Sequence, residues 1–282
     1  MADVTAPIWK DTYYTTTAST FQYSITCNDG TIFSGKAYRM PNQNSISINI
    51  NKICRDYLSQ DIDSILGGSS SQTNANACKD FTLRNGSGTS VRTYRFLFDY
   101  DYDHSWTGQS ATLSESINGH YASGQMKLST SVNTGGTVTT TRNNTTLYNT
   151  EVCADYVLHF VGARGGWMSF AFEGRCVKTD GVKQYLYDKA FNNTTKDFEK
   201  VDYLNEITTT YKLNTGTLTE EEASRFAKNV GSTTKAYLQI ISEGKIIPVL
   251  VTDTSVQYKQ DGMSDVITYE VNIKESQSKI KK

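Results

Sequence analysis

The sequence predicts a mainly β chain, with two β-sandwich or β-barrel-like domains and a few short helices. Two observations carry this. Apolar residues recur with period two along many short runs, the pattern of strands with one buried face. Aromatic residues reach 11%, including 18 Tyr, and Thr, Ser and Asn are abundant; only 3 Pro are present to remove ladder donors. The hydrophobic share, 37%, is low for a compact enzyme. At 282 residues the chain fits one large or two ordinary domains. The boundary falls near residue 150, giving an N-terminal β-rich domain (1–150) with one short helix. The C-terminal β-rich domain (151–282) carries a capped helix near 219–230. No tandem repeat with a period of about 20 to 50 residues is visible.

Element by element, Phe21, Tyr23, Ile25 and Cys27 alternate with polar neighbours and read as a strand. Asp29-Gly30 suits the central pair of a hairpin turn, after which a second strand runs through Ile32 and Phe33 toward Tyr38. Ile46, Ile48 and Ile50 alternate again, and Ile53, Tyr57 and Leu58 then switch to helical spacing, predicting a short helix over about 51–59. Residues 67–76 are polar and read as a flexible loop. Tyr94, Phe96, Phe98 and Tyr100 share one face of a strand over 91–100. The segment 114–125 is loop-like, and runs at 126–132 and 138–147 form a hairpin around Asn133-Thr-Gly-Gly136.

In the second half, a strand covers 152–160, a turn 177–182, a strand 185–187 and a polar loop 192–197. A Thr- and Ile-rich strand over 205–213 is closed by Thr215-Gly216. Thr219-Glu-Glu-Glu222 is a capping box with three acids at the positive end of the helix dipole. Ala223, Phe226, Ala227 and Val230 form one apolar stripe, and Gly231 ends the helix. Runs at 235–241, 245–252, 255–259 and 266–274 predict four strands with a turn at Glu243-Gly244.

Between two strand-like runs lies Gly162-Ala-Arg-Gly-Gly-Trp-Met-Ser-Phe-Ala-Phe-Glu-Gly174. Glycines there permit close backbone approach, and the aromatics beside them supply large buried area. This is packing or assembly hardware and not a reaction centre.

Charge and cysteine content narrow the function further. Net charge is −1, from 28 basic and 29 acidic residues, and like charges cluster only at Lys279, Lys281, Lys282 and Glu220–Glu222. A polyanion-binding protein needs a basic excess, so nucleic-acid recognition is not expected. The first residues lack a basic region followed by an apolar core, so no signal peptide is expected. No apolar run approaches the roughly 20 residues of a spanning helix, so no membrane partner is expected either. Cys27, Cys54, Cys78, Cys153 and Cys176 are widely spaced and form no CxxC pair, which fits free thiols in a reducing cytoplasm.

Candidate chemistry is sparse, and no catalytic, cofactor or metal residues are assigned. Asp99-Tyr-Asp-Tyr-Asp103 has His104 and Ser110 where a calcium loop needs Gly and Glu, so a strand explains it better. His159 lies six residues after Cys153, about 20 Å along a straight strand, too far for a Cys–His pair. Glu220, Glu221 and Glu222 are adjacent on a helix and do not face one another as a glycosidase pair would. The glycines at 162–166 lack the GK[ST] of a phosphate loop. Trp9, Trp106, Trp167 and the tyrosines leave a glycan-binding surface as the alternative reading.

Several segments carry a family resemblance. They are Ala6-Pro-Ile-Trp-Lys-Asp-Thr-Tyr-Tyr14, Phe33-Ser-Gly-Lys-Ala-Tyr38, Asn51-Lys-Ile-Cys54, Ser116-Ile-Asn-Gly-His-Tyr121 and Gly165-Gly-Trp-Met-Ser-Phe-Ala-Phe-Glu-Gly174. Further along come Tyr203-Leu-Asn-Glu206, Leu218-Thr-Glu-Glu-Glu-Ala223, Ile247-Pro-Val-Leu-Val-Thr-Asp-Thr-Ser255 and Glu275-Ser-Gln-Ser278. In this order they span nearly the whole chain, which resembles the conserved virion proteins of crAss-like phages, podoviruses that infect Bacteroides. Arg164 stands where members of that family often carry Tyr. The resemblance implies a non-enzymatic tail or neck (head-to-tail) protein forming a ring around the DNA channel. It implies as partners further copies of itself and neighbouring tail, neck or portal-proximal proteins. No catalytic residue and no cofactor is implied. The protein would be made in the host cytoplasm and reside in the virion.

Overall fold

Period-two runs of branched and aromatic residues pair here mostly into antiparallel ladders, with one parallel pair between Val4–Pro7 and Tyr94–Leu97. The computed structural model describes residues 3–7, 10–27, 30–97, 111–112, 126–132, 137–144, 155–163, 165–188, 194, 200–231, 233, 235–261, 264–277 and 279–281. In chain order, β1 (Val4–Pro7), β2 (Tyr13–Thr16), β3 (Thr20–Cys27), β4 (Gly30–Tyr38) and β5 (Ile46–Asn49) precede α1 (Ile50–Cys54). After α1 the chain tightens into a 3-10 turn over Arg55–Tyr57. Next come α2 (Asp63–Leu66), β6 (Ser71–Asn74), β7 (Cys78–Asn85), β8 (Ser90–Leu97), β9 (Ala111–Thr112), β10 (Met126–Val132) and β11 (Val138–Asn144). The second half holds β12 (Tyr156–Val161), β13 (Trp167–Phe172), β14 (Val177–Asp188), β15 (Lys200–Asn214) and α3 (Glu220–Val230). It ends with β16 (Ala236–Ile240), β17 (Lys245–Asp261), β18 (Ser264–Glu275) and β19 (Lys279–Lys281). The chain is mainly β with a few short helices, as the sequence predicts.

Two compact units emerge. The first comprises Met1–Glu115, Leu128–Asn143 and Arg164–Met168; the second comprises Ser116–Lys127, Asn144–Ala163 and Ser169–Lys282. The first unit contains a five-stranded sheet in the order β1-β8-β7-β3-β4 and the β2–β5 pair. A four-stranded sheet, β6-β11-β10-β9, lies mostly within it as well. Its core gathers Ile25, Ile48, Ile50, Cys54, Phe81, Leu83, Tyr94 and Phe96. Tyr94 stacks on Phe96 at 6.0 Å between ring centroids. Across the β7–β8 ladder, Arg95 grips Asp80 with two bonds of 2.7 and 2.9 Å.

An eight-stranded sheet dominates the second unit, in the order β13-β12-β16-β17-β18-β15-β14, with β19 paired to β15. Helix α3 lays its apolar stripe on this sheet, placing Phe226 4.6 Å from Phe170 and 5.6 Å from Tyr269 between centroids. Its capping box is complete: the Thr219 hydroxyl accepts the Glu222 N–H, and the Glu222 carboxylate accepts the Thr219 N–H at 3.0 Å. Gly231 does end the helix, but in right-handed conformation, with its N–H on the Ala227 carbonyl. A Cβ there would press on Ala227 O at 2.9 Å, so close approach is what selects glycine.

Several expectations are corrected. Residues 67–76 are not simply a loop: they contain β6, whose four residues pair with Val138 to Thr141 of β11. The strand shows no apolar alternation because its polar side chains are used locally. Asn74 Oδ1 accepts the Asp61 N–H, and Gln72 Oε1 accepts the Ser64 N–H. No turn forms at 177–182. Asp180 and Gly181 sit inside the 12-residue β14, opposite Thr209 and Thr208. The Thr209 hydroxyl donates to Asp180 Oδ1 at 2.7 Å, which satisfies the carboxylate in extended backbone. Gly30 takes a ladder place opposite Cys27 and not the turn position. The runs at 245–252 and 255–259 are one strand, β17, with a bulge between Val251 and Asp253. Strand β7 and helix α2 have no counterpart among the sequence expectations. The segments 98–110, 114–125 and 133–136, and most of 192–197, lie outside the described residues.

Gly174 anchors the junction into β14. Its N–H bonds to Asn214 O at 3.0 Å, and a Cβ on it would collide with the Asn214 side chain. That same side chain accepts the Gly216 N–H, where φ is 76°. Gly174→Ala is expected to cost about 1–3 kcal/mol, measured by urea denaturation, and an unchanged midpoint would show that Asn214 swings away freely.

Candidate functional site

The Gly-Trp segment folds as a strand in its own right. Gly165 takes φ 89°, a left-handed turn that glycine adopts without strain, and β13 follows with all six residues buried. Trp167 has 0% exposure, and its backbone N–H donates to Thr130 Oγ1 at 2.9 Å. Farther along the strand, Phe170 and Phe172 meet edge-on at 5.1 Å and join Phe226. The segment is core packing, and Trp167 offers no face to a ligand. Of the other tryptophans considered for sugar binding, Trp9 and Trp106 lie outside the described residues, as do Asp99–Asp103, His104, His120, Cys153 and Arg164.

His159 is the one described histidine, and it is fully buried. Nδ1 lies 2.7 Å from Ser169 Oγ and Nε2 lies 3.3 Å from Gln239 Oε1. Gln239 Oε1 also accepts the Met126 N–H, and an amide oxygen only accepts, so Nε2–H donates to it. This is a hydrogen-bonded polar network inside a sheet, and its imidazole is closed off from solvent. Glu220, Glu221 and Glu222 serve the helix start, as the capping geometry requires.

Two surface features remain. One is a cleft of about 290 Å³ lined by Lys178, Tyr211, Glu243, Lys245, Pro248 and Glu275 among others. Lys245 and Lys178 donate to the two oxygens of Glu243 at 3.1 and 3.4 Å. These bonds, with the ammonium charges, hold the Glu243 carboxyl below its ordinary range. Burial pushes the Tyr211 phenol up, helped by its 3.0 Å bond to Glu275. Glu243 therefore holds both cleft lysines, and Glu275 accepts the Tyr211 hydroxyl. Among the described residues, no group of three or more His, Cys, Asp or Glu is placed to hold a metal ion.

The second feature is the β14–β15 ribbon. Apart from half-buried Tyr185, β14 is exposed along its whole length. Of the 12 large hydrophobic side chains exposed among the described residues, Val177, Val182, Leu186, Tyr187 and Tyr203 belong to this one ribbon. Val182 is 58% exposed and Tyr203 54%. Tyr203 lies 6.3 Å from Tyr185 and 6.1 Å from Tyr187, and Lys183 sits 4.7 Å over the Tyr185 ring. Sequence reading missed this patch because it took part of β14 for a turn. The signal was there in the run Val182-Lys-Gln-Tyr-Leu-Tyr187, apolar on both faces of a strand.

No protein-family model matches the chain, and no curated protein sequence matches it. Solved structures give faint likenesses. A chain of the anti-feeding prophage baseplate aligns at 10% identity and TM-score 0.28, over 48% of this chain and 97% of that one. A chain of the sheath–tube complex of an extracellular contractile injection system aligns at 11% identity and TM-score 0.27, over 48% and 93%. The anti-feeding prophage tube-terminating cap gives 7% identity and TM-score 0.28, over 49% and 95%. Likeness at these scores carries no functional argument.

Two outcomes follow from the burial pattern. Trp167→Ala is expected to cost about 3–5 kcal/mol in chemical denaturation, because it empties a closed core site; a loss below about 1 kcal/mol would move Trp167 out of the core. Burial pushes the Cys54 thiol up to about 12. Native-state alkylation at about pH 8 should therefore leave Cys54 unmodified while half-buried Cys27 reacts, as read by peptide mass spectrometry.

Proposed function

We propose that this chain is a non-enzymatic structural component of a bacteriophage virion, a ring-forming tail or neck protein whose copies surround the DNA channel. The observation that carries the reading is the β14–β15 ribbon at one end of the sheet, which gathers five of the 12 large hydrophobics exposed among the described residues. Apolar surface gathered in this way marks a surface that is covered in use. Three further features support it. The sequence resemblance to virion proteins of crAss-like phages spans nearly the whole chain. His159 is buried in a hydrogen-bonded network, and Glu243 in the cleft is held by two lysines. A net charge of −1 suits a wall past which DNA slides without sticking.

The partners are further copies of the chain and the neighbouring tail, neck or portal-proximal proteins. Head-to-tail contacts close into rings when the rotation between copies permits, and obligate contacts bury about 2,000 Å² or more. A second reading, a glycan-binding tail adaptor, is favoured by one observation, the exposed Tyr187 and Tyr203 beside Tyr185. Flat sugar faces stack on such rings.

Mass photometry of the purified chain at rising concentration is expected to show one closed oligomer beyond the monomer, and cryo-microscopy of particles to place it in the tail or neck. A monomer that binds a glycan array and loses that binding on Tyr203→Ala would favour the second reading. Turnover of a cell-wall substrate by the pure chain would overturn both.

A further inference from the structure

Backbone hydrogen bonds fix which groups the exposed sheet edges present. Thr215 N–H donates to Tyr269 O, continuing the β15–β18 ladder, so odd-numbered β15 residues bond toward β18 and even-numbered ones toward β14. Those even residues, Lys212, Thr210, Thr208 and Glu206, pair with Val177, Thr179, Gly181 and Lys183. The N–H and C=O groups of Lys178, Asp180, Val182 and Gln184 therefore point away from the sheet. The edge of the five-stranded sheet is set the same way. Arg39 N–H donates to Ser19 O, continuing the β3–β4 ladder, so Ala37, Gly35 and Phe33 bond inward. Ser34, Lys36 and Tyr38 then present their backbone groups outward.

We propose that β4 of one copy pairs antiparallel with β14 of the next, joining two different edges head to tail; this rests on the self-associating reading above. The occupant is a second copy because the two edges are complementary in phase and charge. Outward groups meet only when even residues face even residues, so registers differ in steps of two. One of them sets Lys36 opposite Asp180, Tyr38 opposite Lys178, Ser34 opposite Val182, Gly35 opposite Gly181 and Phe33 opposite Lys183. Asp180 and Lys36 then pair, and both β14 lysines lie against aromatic rings. A shift of two residues one way sets Lys36 against Lys178, and the other way leaves Asp180 without a cation. Pairing β14 with its own copy does worse. The two-fold registers that bring a lysine opposite an aspartate also set Lys183 against Lys183 or against Arg175. The glycines at the centre let the strands meet flat, and Phe33, Tyr38 and Val182 are exposed and cover one another's edges. Unlike edges make a heterologous contact, the kind that closes rings.

Charge reversal and cross-linking test this on the full chain. K36D and D180K should each lower oligomer formation about tenfold or more by mass photometry, and the K36D/D180K double variant should recover most of it. Mixing S34C chains with V182C chains under oxidised glutathione should give a disulfide-linked dimer, because directly opposite residues stand about 5.5 Å apart at Cα. Neither variant alone should give it beyond the wild-type background. Oligomers that form normally in K36D and D180K, with no S34C–V182C product, overturn the edge pairing and leave the ring reading standing. A wild-type chain that stays monomeric, again with no cross-link on mixing, overturns both.

Discussion

Everything in the second unit depends on the sharing of β15 between two neighbours. Its backbone bonds alternate, even residues to β14 and odd residues to β18, so one strand holds a long ribbon on one side and the sheet on the other. Pairing with β18 covers Thr210 to Asn214 and pairing with β19 adds Asn205 to Ile207, while pairing with β14 runs from Lys200 to Lys212. Burial follows that geometry: Tyr211 and Leu213 are core, and Val182, Leu186 and Tyr203 are exposed. The same alternation decides which backbone groups of β14 have no partner strand among the described residues.

The anchored end of the ribbon explains why so few residues carry so much. Gly174 and Gly216 flank Asn214, whose side chain fills the space that a Cβ at Gly174 would need and also receives the Gly216 N–H. Phe226 sits among Phe170, Phe172 and Tyr269, so the helix is fixed by rings from two strands. Its capping box satisfies donors that would otherwise be orphaned at the helix start.

Legibility in the sequence tracks how local the cause is. The capping box reads directly, since Thr219 and Glu222 act on each other within one turn. The strand through Phe21, Tyr23, Ile25 and Cys27 reads directly as well, because one face is buried and the other is not. Strand β6 does not, and β14 does so only at 185–187, because neither has a buried face to impose alternation. Each becomes a strand only because a distant partner, β11 or β15, supplies its ladder. Asp180-Gly181 carries the dipeptide of a turn, and only the Thr209 hydroxyl shows why it lies extended. The network of His159, Ser169 and Gln239 is assembled from three strands by register, which no spacing rule reports. Trp167 was legible as packing hardware, and its complete burial follows from β13 being buried on both faces.

An exposed edge with apolar side chains invites indiscriminate pairing, and natural edges blunt that with charge. Strand β14 carries Lys178, Asp180 and Lys183 at intervals that leave no long uncharged stretch. Against an arbitrary strand those charges lose water and gain no partner, so they oppose association. A strand offering a cation at one place and aromatic rings at two others turns the same charges from obstacle to selector. Specificity of this kind resides mainly in the penalties on wrong registers, since an exposed ion pair by itself contributes about 1 kcal/mol or less. The backbone bonds and apolar contacts then supply the adhesion. An edge built this way disfavours pairing with strands that lack those partners.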